Sequence, residues 1–255
     1  MPPLTRSLGP IVTPPASSPV VRAQNVRRIV RELIALLPPH DRFHQVLDPT
    51  DESLIAFSLA GCLVFSAFTF RIPRPVDPQV VLRGVEPRVR RLIKSGSQGT
   101  TFEQHLDIER FIRLSLLDRP EGRNKLDFSA LRRLFAACVE RQQSVILTAV
   151  DRSGQDIAAV VLIWDAETLY YWVPARNREL AGSGAGPAMI LESIKVASSL
   201  NRTFDFDGYQ SVETARLFSG FGIAPIQRPM VIRFSAPGRL LEATWPRMLI
   251  PPYLR

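Results

Sequence analysis

The chain has 255 residues, 45% of them hydrophobic, and a formal net charge of +8. That apolar content is ordinary for a globular protein with a substantial core, and the length allows one large domain or two small ones. Two cysteines and three scattered histidines (His40, His44, His105) give no Cys/His spacing of a metal site, so no metal is expected.

Cys62 and Cys138 lie in apolar surroundings and read as buried thiols, which suits a reducing, cytoplasmic setting. The positive charge favours anionic partners such as coenzyme phosphates, RNA or an acidic membrane face. DNA is not expected among them.

Residues 1–20 are rich in Pro and Ser, lack the apolar core of a secretory leader and read as a disordered tail. Residues 21–37 form a basic amphipathic helix with Val26, Ile29, Val30 and Ile34 as its apolar stripe. The uncharged run 54–70 reads as two buried strands broken at Gly61 and Cys62. Its near-span length leaves a peripheral membrane contact as the second reading. A Pro-rich connection over 72–78 leads to a basic helix at about 87–94. Arg88, Arg90, Arg91 and Lys94 cluster there, as a solvated face or as a patch for phosphates and other anions.

Residues 107–117 and 128–139 have helical periodicity. Three strands follow at 144–150, 156–164 and 167–173, with turn signals at 151–154 and 165–166. This is an antiparallel meander, and its middle strand, apolar on both faces, is the central one. The third strand puts Leu169, Tyr171 and Val173 on one face and Tyr170 and Trp172 on the other. Tyr170 and Trp172 are candidates to line a substrate groove, with core packing as the alternative.

The stretch 182–209 organises the rest. A glycine loop (Gly182, Gly184, Gly186) opens a helix whose first residue is expected at Pro187. The loop and the open amides of the helix end make a potential anion cradle. A helix of this length crosses over and sets strand 203–207 parallel to the meander. Strand alternation puts Asp205 and Asp207 on one face, on the order of 7 Å apart. Either is a candidate general base, a role that needs burial to raise the carboxylate pKa. Otherwise they cap the turn at Gly208 or pair with Arg202. Tyr209 is a candidate general acid or substrate contact, or a packed rim aromatic. A helix over 211–221, with Ser211 as its cap, and a strand over 229–235 end the ordered chain.

This order of elements resembles the GNAT acyltransferase fold, and more closely its FemAB-like branch, whose members often carry two GNAT-like lobes. The resemblance covers about residues 54–235. It lies in the basic helix RVRRLIK (88–94), the aromatic strand LYYWVP (169–174), the run IKVASSLNRTFDFDG (194–208), and the helix 211–221 with the FGIAP after it (221–225). It implies an α/β protein: a mixed, mostly antiparallel GNAT-like sheet flanked by helices, with a reduced N-terminal GNAT-like lobe. The expected division is a tail at 1–20, an N-terminal lobe at 21–95, a C-terminal acyltransferase lobe at 96–240 and a tail at 241–255.

The implied activity is direct transfer of an acyl group to an amine or hydroxyl of a small molecule or of an envelope or polysaccharide precursor. The donor is an acyl-coenzyme A such as acetyl-CoA, or aminoacyl-tRNA as in the FemAB proteins. A non-catalytic GNAT-like binding protein is the alternative from another class. For such a transfer the candidate catalytic residues are Asp205, Asp207 and Tyr209, and the candidates to bind the donor are Gly182, Gly184, Gly186 and Arg178. Arg88, Arg91, Lys94, Tyr170 and Trp172 fall to the substrate. One departure stands out. The usual pyrophosphate loop, Q/R-x-x-G-x-G/A, has Ala181 at the Gln/Arg position here, and Arg178 lies nearby but out of register.

Overall fold

A computed structural model describes residues 9, 10, 12, 18–38, 40–118, 126–209 and 211–234. The expected C-terminal tail lies outside them. In chain order the elements are α1 (Pro19–Ala35), β1 (Arg42–Val46), α2 (Leu54–Leu59), β2 (Leu63–Ile72), α3 (Pro78–Gly84), α4 (Pro87–Ser97), β3 (Thr101–His105) and α5 (Ile108–Asp118). There follow α6 (Phe128–Glu140), β4 (Ser144–Val150), β5 (Asp156–Trp164), β6 (Thr168–Arg176), α7 (Ala185–Ser199), β7 (Thr203–Asp205), α8 (Val212–Ser219) and β8 (Pro225–Phe234). The protein is a mixed α/β fold, as the sequence implied.

The chain divides into two compact units: residues up to Phe68 with those from Ile226 onward, and Thr69–Pro225. The boundary expected at residue 95 falls inside α4 instead. In the first unit β1 pairs antiparallel with β8, from Arg42↔Phe234 to Val46↔Met230. Ser18 caps α1, which buries Val26, Val30 and Ile34 against Phe57, Leu47 and Val231.

The run 54–70 differs from expectation. Its first part is the helix α2, and only its second part is strand. A short apolar run carries no period that separates the two. The break is where the sequence put it: Gly61 has φ +80°, the left-handed region that glycine enters without strain. Among the described residues no helix is long and apolar enough to cross a membrane.

His44 of β1 is half-buried, and burial followed by the neighbouring Arg42 lowers its pKa from 6.5 to about 4. An unfolded chain therefore takes up this proton first as pH falls. The stability His44 contributes is full above its unfolded value and is lost between about 6.5 and about 4. His105 is shifted in the same direction, chiefly by burial. A melting-temperature profile should thus fall across this window, and His44→Gln should flatten part of the slope. An equal slope in that variant would refute the assignment.

The second unit holds the meander. β5 pairs antiparallel with β4 and β6, and β4 with β3, an edge strand the sequence reading missed. β5 is central and buried along most of its length, as its two apolar faces require. β7 joins β6 in parallel, and the end of β2 joins β7 antiparallel on the other side. Tight turns stand at Gly154, with φ +83°, and at Asp165, whose N–H bonds to the Thr168 carbonyl. The helix α3, also unforeseen, starts on the Asp77 cap and Pro78.

The α7 helix is the crossover. It begins at Ala185, two residues earlier than expected, so Pro187 is its third residue. Proline is still tolerated there, because amides of the first turn have no intrahelical partner. Most of α7 is buried, including Met189, Ile190, Ile194 and Ala197. It packs on α4 at a backbone-to-backbone approach. A Cβ on Gly96 would lie 2.1 Å from the Gly184 carbonyl oxygen, and one on Gly184 would lie 2.3 Å from that of Leu92. Gly184→Ala should therefore force the helices apart and cost about 1–3 kcal/mol. Gly182→Ala meets nothing within 4 Å and should be near neutral. Chemical denaturation of both variants checks the contrast.

Candidate active site

Parallel pairing of β6 with β7 spans only Thr168↔Thr203, Leu169↔Phe204 and Tyr170↔Asp205. β6 then runs on to Arg176, still paired with β5 but with no further β7 partner. The cause is local. β7 ends at Asp205, and Asp207 and Gly208 take φ of +58° and +77°, which ends extended structure. The Phe206 N–H turns to the Phe70 carbonyl of β2, 3.0 Å away. The chain beyond β7 therefore follows β2 and parts from β6. β6 also carries a register shift opposite Val161 and Leu162, where Trp172 stands as an extra residue between Tyr171 and Val173.

Asp205 and Asp207 do not share a strand face as expected, because the strand stops between them. Asp205 is fully buried and enclosed by donors. Arg71 Nε lies 2.6 Å from Oδ2, while the Thr69 hydroxyl at 2.5 Å and the Asp207 N–H at 2.7 Å both reach Oδ1. Its partner is thus Arg71 and not Arg202. This carboxylate holds the turn together. Asp207 is 7% exposed and stands two residues past the last β6–β7 pair.

Phe206 packs edge-on against Phe204 and Phe221 and close to Phe218, which anchors the segment from below. Tyr209 is half-buried, its ring centroid 6.3 Å from that of Phe70. The Tyr170 hydroxyl donates to Asp165 at the β5–β6 turn, and Trp172 is buried. Burial pushes the pKa of Tyr171, next to Trp172, well up.

The glycine loop is less open than the resemblance implied. Gly184 is filled by its packing on α4, whereas Gly182 and Gly186 face free space. The Ala185 N–H already donates to the Gly182 carbonyl, and Pro187 has no N–H. The amides of Gly184, the N-cap, and Gly186 belong to the open start of the helix. Arg178 is drawn the other way, into an ion pair with Asp118 at 3.0 Å. Arg88, Arg91 and Lys94 are all exposed on α4, away from its buried Val89 and Ile93. Arg90 instead donates to the Arg83 and Val85 carbonyls and closes the end of α3.

Sequence reading missed Thr69 and Arg71. Their signal was present: polar residues alternate with Phe70 and Ile72 at the end of an otherwise uncharged run.

A meander, a glycine-bearing connection, a crossover helix and a short parallel strand that leaves its neighbour make up a GNAT-like fold. Residues 86–211 match the model of the acetyltransferase (GNAT) domain family, and the chain carries a domain of that family. No curated protein matches the chain at a significant level. Solved structures share the fold, of the FemAB-like double-GNAT type. FemX is 12% identical, with a TM-score of 0.67 over 88% of this chain and 79% of its own. L-PGS from Bacillus licheniformis is 10% identical, with a TM-score of 0.53 over 84% and 73%. A tandem GNAT protein from the clavulanic acid biosynthesis pathway is 13% identical, with a TM-score of 0.51 over 88% and 73%.

Proposed function

We propose that the protein is an acyltransferase that moves an acyl group from an acyl-coenzyme A to an amine or hydroxyl. The observation that carries this reading is the parting of β6 and β7 after Tyr170↔Asp205, with the buried Asp207 just beyond it. The donor's thioester would enter between β6 and the chain after β7. Its phosphates would lie toward the start of α7, held by the amides of Gly184 and Gly186. The acyl-coenzyme A would supply an activated carbonyl, with coenzyme A as the thiolate leaving group. Asp207 accepts the proton of the attacking amine as the new C–N bond forms and the C–S bond breaks. Tyr209, two residues further on, is the group assigned to return a proton to the departing sulfur.

A second reading has a specific basis. With Ala181 at the usual Gln/Arg position and Arg178 paired to Asp118, the donor loop offers few contacts to phosphate. The exposed cations Arg88, Arg91 and Lys94 of α4 offer a broader anionic surface. An aminoacyl-tRNA donor would use them, and such binding weakens steeply with salt.

Calorimetry separates the two. Saturable heat with acetyl-CoA, lost in Gly186→Pro, supports the first reading. No heat with acetyl-CoA, together with salt-sensitive tRNA retention lost in an Arg88→Gln/Arg91→Gln/Lys94→Gln variant, supports the second. Neither signal would refute both and leave a binding protein without transfer activity.

A further inference from the structure

We propose that Thr69 is a positioning residue that aims the Asp207 carboxylate, so that β2 is part of the catalytic apparatus without touching the substrate. The proposal rests on the assignment of Asp207 as base, and it names the group that makes that assignment work.

The geometry is a closed loop of hydrogen bonds. The Thr69 hydroxyl, fully buried, donates to Asp205 Oδ1 and accepts from the Gly208 N–H at 2.9 Å. A hydroxyl has one proton to give, and the ionised carboxylate can only accept, so the sense of both bonds is set. Asp205 Oδ1 also accepts from the Asp207 N–H at 2.7 Å. Arg71 holds the other carboxylate oxygen and fixes the plane of the group. The amides on either side of the Asp207 Cα are thereby tied to one rigid carboxylate–hydroxyl pair.

Those two amides are the atoms that define φ and ψ at residue 207. Fixing them fixes the direction of the Asp207 Cα–Cβ bond. They hold the residue at φ +58°, a conformation that an L side chain enters at a cost and keeps only where its surroundings impose it. Thr69 thus has a role that burial alone does not require. A valine would fill the same volume, but it would release the Gly208 amide and let the turn relax.

The test uses the full chain, with acetyl-CoA as donor, lysine and glucosamine as acceptor probes, and amide hydrogen exchange as a readout that needs no substrate. Thr69→Val should lower kcat tenfold or more with KM within threefold, and should speed exchange at Asp207 and Gly208 at least tenfold. Thr69→Ser, which keeps the hydroxyl, should return both to within threefold of the parent. In an Asp207→Asn background, Thr69→Val should cause no further loss of kcat, because the group it aims is already gone.

Unchanged exchange at both amides in Thr69→Val overturns the proposal, whatever the activity. So does a full additional loss of kcat in the Asp207→Asn background, which would mean that Thr69 acts without Asp207. If Thr69→Val does not fold, Thr69→Ala is read by the same criteria. Absence of turnover in the parent chain counts against the acyltransferase reading, and the exchange measurement then decides the positioning role alone.

Discussion

Asp207→Asn should reduce the rate constant for acyl transfer by about 10²-fold or more while leaving the fold and the donor affinity close to those of the parent. The contrast depends on two properties of one residue. Asparagine has the shape of aspartate and, like it, tolerates the left-handed backbone seen at φ +58°, so the turn after β7 should form as before. Asparagine cannot take up a proton at neutral pH, so the proposed base is lost. Steady-state kinetics beside a thermal melt would show it. A variant with undiminished kcat would remove Asp207 from the mechanism. A variant with a collapsed melting temperature would show that the carboxylate acts in folding. Asp207→Ala is a poorer probe, because alanine lacks the local hydrogen bonding that eases this backbone, and its loss of activity would mix strain with chemistry.

Arg71→Met should destabilise the protein by about 3–5 kcal/mol, because it leaves the Asp205 carboxylate buried with its charge uncompensated. Asp205 has no exposed surface, and the Arg71 side chain has only 12%. At about 2–4 °C per kcal/mol for a chain of this size, the melting temperature should drop by roughly 10 °C. A second substitution gives the test its sign. Asn at 205 carries no charge, yet its carbonyl oxygen can still accept from Thr69 and from the Asp207 amide. The Arg71→Met/Asp205→Asn protein should therefore be more stable than Arg71→Met alone. If the double variant is the less stable of the two, the pair contributes through its hydrogen bonds and the charge argument fails.

These expectations show where the sequence was informative. The meander, its central strand, the crossover helix and the parallel arrival of 203–205 were readable because long periodic runs and β-rich segments carry their own pattern. The short elements were not. β1 (RFHQV) and β3 (TFEQH) are polar edge-type strands with little apolar alternation, and α2 is six residues long. The site was half legible. The candidate glycines, aspartates and aromatics stand out by residue type, but what each of them touches is set by tertiary contacts. Nothing local to Asp205 announces Arg71, which is 134 residues away in sequence. Nothing local to Gly184 announces that its missing Cβ makes room for α4. The expectation for Asp207 failed in one respect, since strand alternation was carried two residues past the point where the backbone turns left-handed.

The contact between Gly96 and Gly184 also bears on how the molecule can move. Two main chains that close behave as a dowel joint: neither helix can slide along the other without a collision. A tug on the outer face of α4 is passed straight to the mouth of the crossover helix. Relative motion of α4 and α7 is thereby passed on to the short stretch 177–183 that leads into α7.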